Sequence, residues 1–162
     1  MKYGPSAKAK GRKYYTMSFS VTFEYEDDKV WFAYTIPYTY SMLTQYIKAI
    51  GHEQRISDRS KYLQESVLCK TLGGVEVPLL TITNFDEGEQ TRKVVFVLAR
   101  LHPGESASSW VAHGLISFLI SRSRVANELR KRLVFKIVPM ANPDGVIIGN
   151  TRTTLIGKDM NR

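Results

Sequence analysis

Residues 98–115, LARLHPGESASSWVAHGL, are the stretch whose reading decides the fold. An apolar run, KVVFVL, arrives from residue 93 and stops near His102. Pro103 and Gly104 force a tight turn, and Glu105 follows. Trp110, Val111, Leu115, Phe118 and Leu119 then recur at helical spacing across 106–121. A buried strand therefore hands over to a helix at a histidine and a glutamate. Val94 to Leu98 is continuously apolar, as expected of a strand covered on both faces.

Working outward, a charged helix is expected at 124–132 and a second buried strand, LVFKIVPM, from 133. Strand, helix and strand in that order form a βαβ crossover, which implies parallel strands and an α/β class. Before it lie ESVLCKTL, the Gly73–Gly74 turn and VEVPLLTIT, which read as two strands. Ser41 is expected to cap a helix to Ile50, with Gly51 ending it. TMSFSVTFEY (16–25) and VWFAYTIP (29–36), split by Glu26, Asp27 and Asp28, read as a β-hairpin.

The chain has 162 residues, and its 43% hydrophobic content supports a real core. Five of its eight net positive charges lie in residues 1–13, which contain no acid. Residues 1–15 are thus expected to form a basic, flexible tail on a mildly basic domain. Nucleic acid is not the expected partner, and neither is a membrane, since no apolar run is long enough to span one. Cys69 is the single cysteine; it excludes an internal disulfide and reads as a small core thiol. A reducing compartment, the cytosol, is expected.

His102 and Glu105 are candidate metal ligands at the carboxyl end of a sheet strand, where α/β folds bind their ligands. Imidazole and carboxylate both ligate zinc, which lowers the pKa of its bound water to about 7. The competing reading makes Glu105 an acid at a helix N-terminus and nothing more. His113 reads as a packed helix residue and His52 as an exposed loop residue. Asn142–Gly145 reads as a turn in which Asp144 is structural. Arg152 and Arg162 lie in glycine-containing loops, where guanidinium groups grip carboxylates or simply stay solvated. After Pro139 the polar loop ANPDGVIIGNTRTTLIGKDMNR runs to the last residue, so a truncated domain is expected.

HPGES, NPDGV, GNTR and GKDMNR, in that order, resemble the zinc carboxypeptidase family and its cytosolic carboxypeptidase branch. YTIPYTYSML and LCKTLGGVEVPLLTIT strengthen the resemblance, which covers residues 18–162. It implies a partial mixed sheet with flanking helices, preceded by the end of an all-β sandwich module. On that view residues 16–37 are the module's C-terminal hairpin, and 38–162 are the N-terminal half of a catalytic domain. The resemblance also implies a Zn2+ cofactor held by His102 and Glu105. Arg152 would polarise the scissile carbonyl, and Asn161 with Arg162 would hold the substrate's terminal carboxylate. Met160 stands where the family often has leucine, a neutral apolar exchange.

The third zinc ligand and the general base come later in that family, so 1–162 alone is expected to be inactive. The branch removes glutamates from protein C-termini and polyglutamate side chains, notably on tubulin, which makes acidic tails the expected partners. The alternative is a non-catalytic module that binds acidic protein C-termini.

Overall fold

The computed structural model describes residues 2–5, 15–56, 62–86 and 92–162. Contacts divide the chain into Met1–Phe32 and Ala33–Arg162. In the first unit, β1 (Lys2–Pro5) pairs antiparallel with β2 (Tyr15–Ser18).

This corrects two expectations. Part of the basic tail is a strand, and the hairpin of 16–36 does not form; β2 turns to β1 instead. The alternating residues beyond β2 find no sheet to join. Phe23, Trp31 and Phe32 stay largely exposed. An isolated hairpin is marginal in water without a surface to bury its apolar face. Residues 6–14 of the expected tail lie outside the described residues.

The second unit starts its regular structure with α1 (Tyr40–Ile56). Thr39, not Ser41, caps it: the Thr39 hydroxyl accepts from the Met42 N–H at 3.1 Å. The helix runs through Gly51 instead of ending there. Leu43, Ile47 and Ile50 place one face in the core, and that burial outweighs the roughly 1 kcal/mol a mid-helix glycine costs. His52 is exposed, but on the helix and not in a loop.

β3 (Leu63–Lys70) and β4 (Glu76–Ile82) pair antiparallel, with a bulge between Val67 and Cys69. Cys69 is exposed, because β3 lies at a sheet edge; the expected core thiol is corrected. β5 (Lys93–Leu98) leads through the turn to α2 (Ser106–Leu119), α3 (Arg124–Arg132) and β6 (Leu133–Val138). β5 and β6 are parallel in register from Lys93–Leu133 to Leu98–Val138, as the crossover requires. β4 joins β6 antiparallel, so the sheet is mixed, in the order β3-β4-β6-β5.

Among the described residues β5 is therefore an edge strand, and it is not buried on both faces. Val95 and Val97 pack on the core, whereas Val94, Phe96 and Leu98 are exposed. The core joins α1, α2 and the sheet through Tyr38, Leu43, Leu80, Ile116, Phe135 and Ile137. The buried stripe of α2 is Ser109, Ala112, Ile116 and Leu119, with Val111 71% exposed.

Candidate metal centre and carboxylate clamp

The site grows out of the sheet's carboxyl end. Ala99 N–H donates to Val138 O, and Ala141 N–H donates to Ala99 O. The parallel pair therefore stays zipped up to the point where both chains turn away. Arg100 then adopts φ +54°, the left-handed region that a non-glycine residue rarely occupies. This bend starts the turn 101–104 and aims His102 off the sheet end.

Two neighbours pin the turn. Gly104 N–H donates to Thr151 O at 2.8 Å, so closely that a Cβ on Gly104 would lie 2.8 Å from that oxygen. Asn142 Nδ2 donates to Leu101 O and Thr153 O, while Asn142 Oδ1 accepts from Gly145 N–H. Asn142 thereby caps α4 (Pro143–Ile148), a short helix where a bare turn was expected. A Cβ on Gly145 would lie 2.3 Å from Pro103, so only glycine lets α4 approach the turn. Asp144 is buried and structural: it accepts from Thr71 Oγ1 at 2.7 Å and Gly73 N–H at 3.0 Å.

Glu105 precedes α2 but its side chain makes no capping hydrogen bond. Its Oε1 instead faces His102 Nδ1 at 3.1 Å. The opposite ring nitrogen, Nε2, lies 3.0 Å from Asp159 Oδ1. A carboxylate only accepts, so each ring nitrogen bonds its partner only when it carries a proton, and one tautomer places that proton on Nε2, donating to Asp159. In neutral His102 the Nδ1 lone pair then faces a carboxylate oxygen. Two Lewis bases 3.1 Å apart repel unless a proton or a cation lies against both. Two ligands of a tetrahedral ion with ~2.0–2.1 Å bonds sit about 3.3 Å apart. The donor pair fits zinc in both chemistry and spacing. Among the described residues no group of three His, Cys, Asp or Glu is gathered for a metal.

Asp159 was not singled out in the sequence, yet it joins the parts. Oδ1 accepts from His102 Nε2 and from Asn161 N–H, and Oδ2 accepts from Arg152 Nε at 2.7 Å. The Asn161 amide first, then His102 and Arg152, hold its carboxyl well below the usual range. Its spacing in GKDMNR carries no metal signal, because its hydrogen bonds go to His102, Arg152 and a backbone amide. A carboxylate behind a ligating histidine fixes the tautomer and ring plane.

Arg152 is thus brought to within one residue of His102, its guanidinium about half exposed. Among the described residues its two Nη nitrogens have no partner. Asn161 and Arg162 reach the centre through the Asn161 amide; their side chains are exposed, and Arg162 Nη1 donates to Asn161 O. His113 is remote from this group. It stacks on Tyr46 and meets Tyr38 Oη at 3.0 Å, a packed helix residue as expected.

A model of the zinc carboxypeptidase family matches residues 43–162. The chain belongs to the zinc carboxypeptidase family. It is 47% identical to Cytosolic carboxypeptidase 4 of Mus musculus, over 95% of this chain and 14% of that protein. It is likewise 47% identical to Cytosolic carboxypeptidase 1 of Danio rerio, over 94% of this chain and 14% of that protein. This member of the family thus spans about one-seventh of the length of the curated relatives it matches. Among solved structures, a metallo-carboxypeptidase from Burkholderia cenocepacia aligns with a TM-score of 0.68 and 31% identity. That alignment covers 78% of this chain and 33% of the other.

Proposed function

We propose that these residues form part of a zinc-dependent metallocarboxypeptidase that removes glutamates from protein C-termini or polyglutamate side chains, tubulin tails among them. One observation carries the reading: His102 Nδ1 and Glu105 Oε1 face each other at 3.1 Å while Asp159 holds the far side of the ring. His102 and Glu105 would hold the zinc. When bound, zinc supplies Lewis-acid activation of water and of a peptide carbonyl at neutral pH.

This chain's own residues do the rest of the binding work. The Nη nitrogens of Arg152 offer two donors where negative charge grows on the scissile carbonyl oxygen. Its Nε stays on Asp159, which limits its freedom to swing. Asn161 and Arg162, exposed beside it, offer an amide and a fork of N–H donors to a terminal carboxylate. On this reading a third ligand and a general base complete the site in the whole protein. A cytosolic setting fits the names of the relatives. Among the described residues, no helix is long and apolar enough to cross a membrane.

The test uses the complete protein that carries this segment and a peptide ending in two glutamates, beside its amidated twin. Release of glutamate from the free acid alone, with zinc bound, is the expected result. His102→Ala should lose the zinc and at least 100-fold in kcat/KM. Equal turnover of both peptides would rule out terminal-carboxylate recognition. Zinc retained in full by His102→Ala would rule out the ligand assignment. If the free acid binds but is never cleaved, the non-catalytic binding module replaces the enzyme.

A further inference from the structure

Arg100 is 6% exposed, yet no carboxylate among the described residues pairs with it. Its guanidinium donates only to neutral acceptors. Nε reaches Pro103 O at 2.8 Å; Nη1 reaches Ser109 Oγ at 2.9 Å and Tyr38 O at 3.2 Å. An unpaired buried cation is an expensive residue, and an apolar side chain of similar volume is often at least as stable. Its backbone is also held in the left-handed region, with its N–H on Ser108 Oγ and its carbonyl accepting from Asn142 N–H. A strained backbone and a lone buried charge coincide two residues before His102.

The three acceptors explain the coincidence. Pro103 O lies inside the turn between His102 and Glu105. Ser109 lies in the first turn of α2, directly after Glu105. Tyr38 O belongs to the segment before α1. We propose that Arg100 is a positioning residue for the metal centre: its guanidinium ties the Pro103 carbonyl to α2 and to residue 38, and so fixes the separation of His102 and Glu105. The inference rests on the zinc reading above. Arginine is required because donors on two nitrogens point in different directions from one rigid plane. A lysine ammonium has three donors too, but they radiate from one freely rotating nitrogen and do not reproduce the fixed fork that holds Pro103 O and Ser109 Oγ.

Arg100 also lines a cavity of about 480 Å3, with Tyr38, Pro103 and Ser106 in its wall. A small guanidinium compound could therefore enter from solvent and take the place of a deleted side chain. The experiment measures zinc affinity of the complete protein by chelator competition, the visible spectrum of its cobalt-substituted form, and Tm. Arg100→Ala is expected to weaken zinc by about 10–100-fold, the range for groups that orient metal ligands. Ethylguanidinium is expected to restore most of that loss, and Arg100→Lys is not. The cobalt spectrum of Arg100→Lys should shift, reporting altered ligand geometry. Should Arg100→Ala not fold, Ser109→Ala, which removes one anchor, is expected to show a smaller loss in the same direction.

Unchanged zinc affinity and an unchanged cobalt spectrum, with only Tm lowered, would overturn the proposal, since a purely structural arginine behaves that way. So would full rescue by Arg100→Lys. If the unaltered protein takes up no zinc, the functional reading itself fails, and this inference falls with it.

Discussion

Asp159 accepts from three donors at once, and each belongs to a different part of the site. Replacing it by asparagine keeps the shape and removes the charge. The amide can still accept from one neighbour, but its NH2 group opposes a donor on the other side. Either His102 loses its partner at Nε2, or Arg152 loses its tether. Asp159→Asn is therefore expected to weaken zinc binding by about 10–100-fold. Zinc competition titration of the complete protein checks this, and an affinity within twofold of the original would refute it. His102 and Glu105 were legible in the sequence as candidate ligands because imidazole and carboxylate both bind zinc. Asp159 and Arg100 were not legible, and Asn142 read only as a turn residue, because their partners lie up to 62 residues away or lie on backbone atoms with no side-chain signature.

At the scale of elements, α1 and α2 meet through rings. His113 stacks on Tyr46 with centroids 3.6 Å apart and planes 22° off parallel. Trp110 stands edge-on to Tyr38, and burial with Tyr46 nearby pushes the Tyr38 hydroxyl up to about 12. Burial lowers the His113 pKa below its ordinary 6.5. The unfolded chain then binds this proton more readily than the folded one. The contribution of His113 is complete above about pH 6.5 and is lost as pH falls through the folded value. Urea midpoints at pH 7.5 and 5.5 should thus fall more for the original protein than for His113→Gln. Equal falls would show that the ring stack carries no such linkage. Of the two, α2 was legible from apolar spacing. The side of α2 that is buried was not, because Val111 and Ser109 trade places relative to their polarity. Ser109 is inside, where its hydroxyl accepts from Arg100 Nη1.

For the whole molecule the open edge of the sheet matters most. β5 ends the order β3-β4-β6-β5 with one ladder of backbone groups unpaired by any described strand. Val94, Phe96 and Leu98 line its uncovered face. Unpaired edges with apolar side chains template association. A polypeptide of residues 1–162 alone is expected to self-associate at micromolar concentration. Val94→Lys with Phe96→Lys should shift it toward monomer. Sedimentation velocity decides: a monomeric original chain with a sharp melting transition would contradict the expectation.

Parallel pairing of β5 with β6, the two helices between them and the His–Glu turn at the carboxyl end of β5 were determined by the sequence alone. They follow from local periodicity, from the handedness of crossovers and from the φ demands of a Pro-Gly turn, all of which act over short stretches of chain. Only the tertiary structure decided that β2 pairs with β1, that β5 is an edge, and that Asp159, Asn142 and Arg100 hold the site. Those outcomes depend on which surfaces meet across tens of residues, and burial and hydrogen-bond satisfaction settle them after the local pattern has been spent.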